Sequence, residues 1–346
     1  MTSHPMATGR SLELGGEQPM DVSISQESRE EKVHWIHLPD DRTVNIVFIH
    51  GVNGDYKDTW ASWPRWVADD FPKAAVGSLS YAAATSRWRG QSMGLIDRAE
   101  SVLGLFKNAH VFERPTLIIA HSFGGLVAKQ LWRLVNDRVI EQQAKGALKG
   151  IIFIATPHHG SSLANFAQSL SRLFPTLPNP VTQDLRSNEP IAEDLHNWYQ
   201  DHPIKYNWAF SETQKVLAFR WWPFGLSALV VDHASATPGI QDVHAEPIRA
   251  NHIEICRPET RTNQIVESVQ GHIREFINAV AKTSGNLSLT VIKGKEFLIQ
   301  TSENSPPIRL PMQLPPLEAA YAKSAIANPK YWKRIHTLAD ETGDEN

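Results

Sequence analysis

The sequence has a single cysteine, Cys256, among 346 residues. No internal disulfide can form, so packing must carry the stability, and the composition fits a reducing compartment. An excess of either charge is also missing: 34 Lys and Arg stand against 37 Asp and Glu, a formal net charge of −3. That balance excludes a broadly basic nucleic-acid binder and an acidic solvating chain. No apolar run approaches the roughly 18 residues that a membrane-spanning helix needs. The strongly apolar stretches, such as Gly150–Ala155, are strand-sized. The first 30 residues lack the apolar core of a secretory signal, and Glu13, Glu17, Asp21, Glu27 and Glu30 make them too acidic for a transit peptide. Residues 1–30 are expected to be a disordered leader, and the protein to be cytoplasmic.

What the chain does have is alternation of strands and helices. Asn45–His50, Pro115–Ala120 and Gly150–Ala155 are continuous apolar runs of the kind that central parallel strands need, with Val76–Tyr81 as a weaker fourth. Between and after them, Gln91–His110, Leu126–Val135 and Arg261–Ala281 carry apolar residues at helical spacing. Ile204–Phe210, Leu229–Val231 and Pro247–Ala250 supply further strands. This order predicts an α/β fold with a mostly parallel central sheet and helices on both faces. Residues 161–200, broken by Pro175, Pro178, Pro180 and Pro190, are expected as short helices over the sheet, a helical lid insertion. Residues 284–346 read as an appendage: a hairpin over Leu287–Gln300, a Pro-rich stretch over Ser305–Pro316, and a helix from Leu317 to Leu338.

The chemistry is concentrated at the strand ends. Ala120-His121-Ser122-Phe123-Gly124-Gly125 follows a buried strand and opens a helix. A nucleophile elbow holds its Ser in a strained turn and needs small residues two before and two after it; Ala120 and Gly124 meet that need. The amide of Phe123 at the helix start is then a candidate oxyanion donor. His121 adjoins Ser122, but a base must reach the hydroxyl from the side, so His121 reads as a packed supporting residue. His50-Gly51-Val52-Asn53-Gly54 closes the first central strand, and the amide of Val52 is the second candidate oxyanion donor.

The base has to be chosen among 15 histidines. In this kind of hydrolase the order along the chain is Ser, then acid, then His on a loop after the last strand. His252, between Pro247–Ala250 and the closing helix, fits that place better than His233, His244 or His272. For the acid, Glu212 ends the penultimate strand; Asp232 is the alternative and Asp242 a weaker third.

These segments together resemble the lipase-like serine esterases of the α/β-hydrolase superfamily, in particular the group containing the serine-active-site-containing protein, and more remotely the GPI inositol-deacylase. The resemblance is carried by FIHGVNGDYKDTW (Phe48–Trp60), AHSFGGLVAKQ (Ala120–Gln130), ATPHHGS (Ala155–Ser161), FSET (Phe210–Thr213), VVDHASATPG (Val230–Gly239) and NHIEICRP (Asn251–Pro258), in order across roughly residues 32–280. It implies the α/β-hydrolase fold, Ser122 as nucleophile, His252 as base, Glu212 rather than Asp232 as acid, and Thr156 and His158 as braces of the elbow.

The expected activity is that of a serine esterase or lipase cleaving carboxylic esters through an acyl-enzyme, without metal or cofactor. An acyl-lipid-like substrate is expected, with peripheral membrane contact, from the apolar insertion that includes Phe219, Trp221, Trp222, Phe224 and Leu226. Two alternatives stand beside it: an acyltransferase in lipid remodelling, and a non-catalytic interaction module on the same fold.

Overall fold

The computed structural model describes residues 30–52, 54–81, 94–173, 183, 185–218 and 226–285, and short strands at 288–292, 296–300, 308–311 and 335–337. The leader expected over 1–30 lies almost wholly outside these residues. The strands run β1 (Lys32–His37), β2 (Val44–Ile49), β3 (Ala74–Ser80), β4 (Thr116–His121), β5 (Leu148–Ile154) and β6 (Tyr206–Glu212). A two-stranded ribbon, β7 (Val216–Ala218) and β8 (Leu226–Ala228), precedes β9 (Ala245–Ile248).

The main sheet has the order β1-β3-β2-β4-β5-β6-β9. Only β1 is antiparallel to its neighbour; every other pair is parallel. This is the α/β-hydrolase arrangement. The reason lies in the strand residues. In β2, Val47 and Ile49 point to one face while Ile46 and Phe48 point to the other. In β4 the split is Ile118 and Ala120 against Leu117 and Ile119, and in β5 Ile151 and Phe153 against Ile152 and Ile154. Strands apolar on both faces must be covered on both faces.

The covering helices are α1 (Trp63–Asp70), α2 (Leu95–Asn108), α3 (Phe123–Asp137), α4 (Gln142–Ala147), α5 (Gly160–Leu173), α6 (Glu189–Asp201), α7 (His233–Ala236) and α8 (Gln264–Gly285). Phe106 of α2, Leu131 of α3 and Leu195 of α6 pack on the first face. Trp63 and Val67 of α1 and Ile273 and Phe276 of α8 pack on the second. Each such side chain contributes about 1.5–3 kcal/mol by leaving water. Among the described residues, no helix is long and apolar enough to cross a membrane.

Three expectations need comment. Leu229–Val231 is not a strand: β8 ends at Ala228, and the backbone of Val230 and Val231 bends away to bind a side chain described below. The expected hairpin is present as β10 (Ser288–Ile292) and β11 (Glu296–Gln300), but it belongs to a four-stranded sheet with β12 (Ile308–Pro311) and β13 (Ile335–Thr337), in the order β12-β11-β10-β13. The helix expected to reach Leu338 is therefore wrong at its end, where β13 pairs in parallel with β10. A hydrogen-bonded partner outweighs the local helical spacing there. Residues 312–334 and 219–225, which hold the rest of that helix and the aromatic insertion, lie outside the described residues.

Candidate active site

The carboxyl ends of β2, β4, β6 and β9 bring the candidate residues to one edge of the sheet, where parallel α/β sheets bind ligands. Ser122 sits between β4 and α3 with φ 57° and ψ −129°. This is a sparsely populated backbone region for a residue with a side chain and costs on the order of 1–3 kcal/mol. The surroundings enforce it. Ser122 N–H donates to Ile154 O at 2.8 Å, and Ser122 O accepts from Gly125 N–H at 3.0 Å. A side chain at Gly124 would meet the carbonyl oxygens of His50 and Ile49 at 2.5 and 2.7 Å.

His252 Nε2 lies 3.1 Å from Ser122 Oγ. Its Nδ1 lies 2.5 Å from Glu212 Oε2. The other carboxylate oxygen, Glu212 Oε1, accepts from the amides of Val230 and Val231 at 2.7 and 3.1 Å. All three side chains are buried. Three donors thus converge on one carboxylate, and hydrogen bonds to an ionised acceptor are about twice as strong as neutral ones. Asp232, the alternative acid, is placed elsewhere in the chain's business: its Oδ1 accepts from Ser235 N–H at 2.7 Å and caps α7. Asp242 sits in a turn at φ 61°.

The loop that carries His252 is fixed at both ends. Thr213 and Gln214 amides donate to Ala250 O at 3.2 and 3.1 Å. Asn251 Oδ1 accepts from the amides of Ile253 and Glu254, both at 3.0 Å, which starts the 3-10 turn Glu254–Cys256. His121 supports His252: its Nε2–H donates to His252 O at 3.0 Å, and the two rings stand 4.7 Å apart. Burial, with His252 beside it, holds the His121 imidazole well below the ordinary histidine pKa, so it is a neutral donor. The other histidines are elsewhere: His233 Nδ1 faces Ser211 Oγ at 2.9 Å, and His272 stacks on Trp208 at 4.9 Å.

A cavity of about 260 Å³ opens at this edge. Ser122, His252, Gly51 and Val52 line it, together with the apolar residues Phe166 and Leu170 of α5, Ile253 and Cys256. Asp55, Asp58, Thr59 and Arg257 add polar groups to the lining. Phe123 opens α3, so its amide is one of the helix-start donors without an intrahelical acceptor. Thr156 packs against Gly125 in the first turn of α3. His158 does not reach the elbow in the same way: its ring packs on Phe153 at 4.7 Å. Among the described residues, no group of three or more His, Cys, Asp or Glu side chains is arranged to hold a metal ion.

Sequence reasoning missed the side chain of Asn251, the side chain of His50, and the amides of Val230 and Val231. Asn251 could have been found, since Asn two or three residues before a turn is a capping signal. The Val230 and Val231 amides left no signal, because any residue but proline supplies them.

Comparisons with known proteins agree with this fold. Residues 41–198 match the family described as a PGAP1-like alpha/beta domain. The chain is similar to Protein SERAC1 of Homo sapiens, 26% identical over 294 residues, covering 75% of this chain and 43% of that protein. It is 28% identical over 297 residues to Protein SERAC1 of Danio rerio, covering 73% of this chain and 44% of the relative. It therefore spans less than half the length of these relatives. Among solved structures, phospholipase PlaB from Legionella pneumophila superposes with a TM-score of 0.51 at 14% identity, covering 78% of this chain and 68% of PlaB, a likeness of fold.

Proposed function

We propose that this protein is a serine hydrolase that cleaves carboxylic esters with an acyl-lipid-like acyl group. The observation that carries the reading is the hydrogen-bonded chain from Ser122 Oγ through His252 to Glu212, at 3.1 and 2.5 Å, hung from a serine in a strained turn. Ser122 Oγ attacks the ester carbonyl as His252 Nε2 takes its proton. Glu212 holds Nδ1–H and stabilises the imidazolium that forms. The amides of Val52 and Phe123 receive the negative charge on the carbonyl oxygen. His252 then returns the proton to the leaving alkoxide, and water, activated by the same His252, releases the acid.

The apolar lining residues support an acyl group lying against Phe166 and Leu170, with α5 as the lid over it. The polar lining residues Asp55, Asp58, Thr59 and Arg257 support an alcohol portion that carries polar or charged groups.

Fluorophosphonate labelling and a series of p-nitrophenyl esters of rising chain length test this reading, with Ser122→Ala as control. Labelling of the wild type only, and turnover that peaks beyond acetate, are the expected results. A wild-type protein that neither labels nor hydrolyses any ester would leave a non-catalytic scaffold as the better reading.

A further inference from the structure

The peptide joining Gly51 to Val52 is one rigid, planar unit, and in its trans form the N–H points away from the C=O. Its carbonyl end is held twice. Gly51 O accepts from His50 Nδ1–H at 3.0 Å and from Gly54 N–H at 3.1 Å. Pinning that end aims the other. The same peptide lies against the nucleophile: a Cβ at Gly51 would stand 2.8 Å from Ser122 Cβ and 3.2 Å from Ser122 Oγ. Val52 lines the cavity together with Ser122 and His252.

We infer that His50 is a positioning residue for the oxyanion site: by donating Nδ1–H to the Gly51 carbonyl it holds the Gly51–Val52 peptide with the Val52 N–H turned toward the oxygen of the attacked ester. This rests on the hydrolase reading given above. A carbonyl only accepts, so the bond requires the proton on Nδ1. His50 is itself fixed. Its own carbonyl accepts from Tyr81 O–H at 2.7 Å, and the two rings are 4.8 Å apart. Burial lowers its pKa to about 4, so across ordinary pH the ring is neutral, with its one proton committed to Gly51. Without the imidazole, the carbonyl keeps only the Gly54 amide, and the peptide is free to turn. The Val52 N–H matters most when charge develops on the oxygen, so its loss falls on kcat rather than KM.

Side-chain geometry gives a sharp test. Asn places an N–H near the position of a histidine Nδ1, whereas Gln places one near Nε2. His50→Asn, His50→Gln and His50→Ala are compared with wild type and Ser122→Ala on a soluble p-nitrophenyl ester, with thermal melts as the folding control. His50→Gln and His50→Ala are expected to lose about 10²–10³ in kcat, the cost of one oxyanion donor, with KM changed by less than about threefold. His50→Asn is expected to recover most of that loss. The acid limb of the kcat/KM profile, which reports the base, is expected to stay in place. Folded His50→Gln with wild-type kcat, a loss carried by KM, or equal losses in His50→Asn and His50→Ala would each overturn the inference while leaving the hydrolase reading standing. A wild type without esterase turnover or labelling removes both. If the variants do not fold, ¹⁵N-histidine NMR of the wild type decides: a neutral Nδ1–H tautomer at His50 supports the inference, and an Nε2–H tautomer overturns it.

Discussion

Two buried polar regions border the same helix and are built in opposite ways. At the start of α3, every side chain of the candidate site has a partner: Ser122 with His252, His252 with Glu212, Glu212 with two amides, and His121 with the His252 carbonyl. Roughly 10 Å further along, at 1.5 Å per residue, lies the second region. There Lys129 Nζ, both ring nitrogens of His158 and His196 Nδ1 have no hydrogen-bond partner among the described residues. Lys129 Nζ instead stands 4.7 Å over the Tyr199 ring, and the rings of His159 and His196 are 4.0 Å apart. The first region spends buried polar groups on fixed geometry. The second pays for burial through neutralisation: it pushes the pKa of His196 down to about 4 and that of His158 well below the ordinary histidine value. A satisfied network orients its members, whereas an unsatisfied one mainly subtracts from stability.

The comparison breaks most severely at Ser122. If the first region exists to orient this hydroxyl, Ser122→Ala lowers ester turnover by about 10⁴–10⁶. The strained backbone is held by main-chain bonds that the substitution leaves intact, so the melting temperature is expected to stay near that of wild type. Steady-state kinetics beside a calorimetric melt check both halves. Residual activity near the wild-type level in a folded variant would mean that the reactive group is elsewhere.

A smaller loss sharpens the role of the partners. In Glu212→Gln, the amide oxygen remains the better match for the Val230 and Val231 amides, which turns the side-chain NH₂ toward His252 Nδ1. Two donors then face each other, and the imidazole must change tautomer or tilt. We expect kcat to fall by about 10²–10⁴. Asp232→Asn removes charge from a helix cap but touches neither His252 nor Glu212, and is expected to cost less than about tenfold. The reverse ranking, measured on folded proteins, would return the acid's role to Asp232.

The same contrast explains what was legible in the sequence. Ser122, His252 and Glu212 each end a strand or follow one, and strand ends are marked by apolar runs that stop at a polar residue. Val52 and Phe123 follow from those positions, since backbone donors go wherever the strands deliver them. The bonds from His50, His121 and Asn251 depend on loop conformation, which strand and helix patterns do not determine. Lys129 was invisible for another reason. One lysine in an apolar helix normally reads as the solvent edge, but α3 is covered by the sheet, α2 and α6 together, and has no solvent edge at that turn. The segment at Ile335–Thr337 was misread because its strand exists only through pairing with distant β10.

A change in stability rather than in turnover tests the second region through Lys129. Burial lowers its pKa from the ordinary lysine value to about 7, while the unfolded chain keeps that proton up to about pH 10.4. Between roughly pH 7 and pH 10 the unfolded state therefore binds a proton that the folded state has released, and stability rises with pH across that window. Below it both states are protonated, the slope vanishes, and the full penalty of a buried charge is present. Cys256 acts in the opposite sense above about pH 9, since burial pushes its thiol up to about 12. The informative quantity is thus the difference between wild type and Lys129→Met at each pH, in which Cys256 and the buried tyrosines cancel. Met keeps most of the volume and removes the charge. Replacing an uncompensated buried charge by an apolar side chain of similar size is expected to stabilise the protein by about 1–4 kcal/mol near pH 7, with the gain shrinking toward pH 10. Denaturant midpoints at several pH values, with an unchanged m-value, measure it. A Lys129→Met variant that is less stable than wild type, by an amount independent of pH, would show instead that the ammonium is held charged on the face of Tyr199, and the two regions would then differ only in the kind of partner they use.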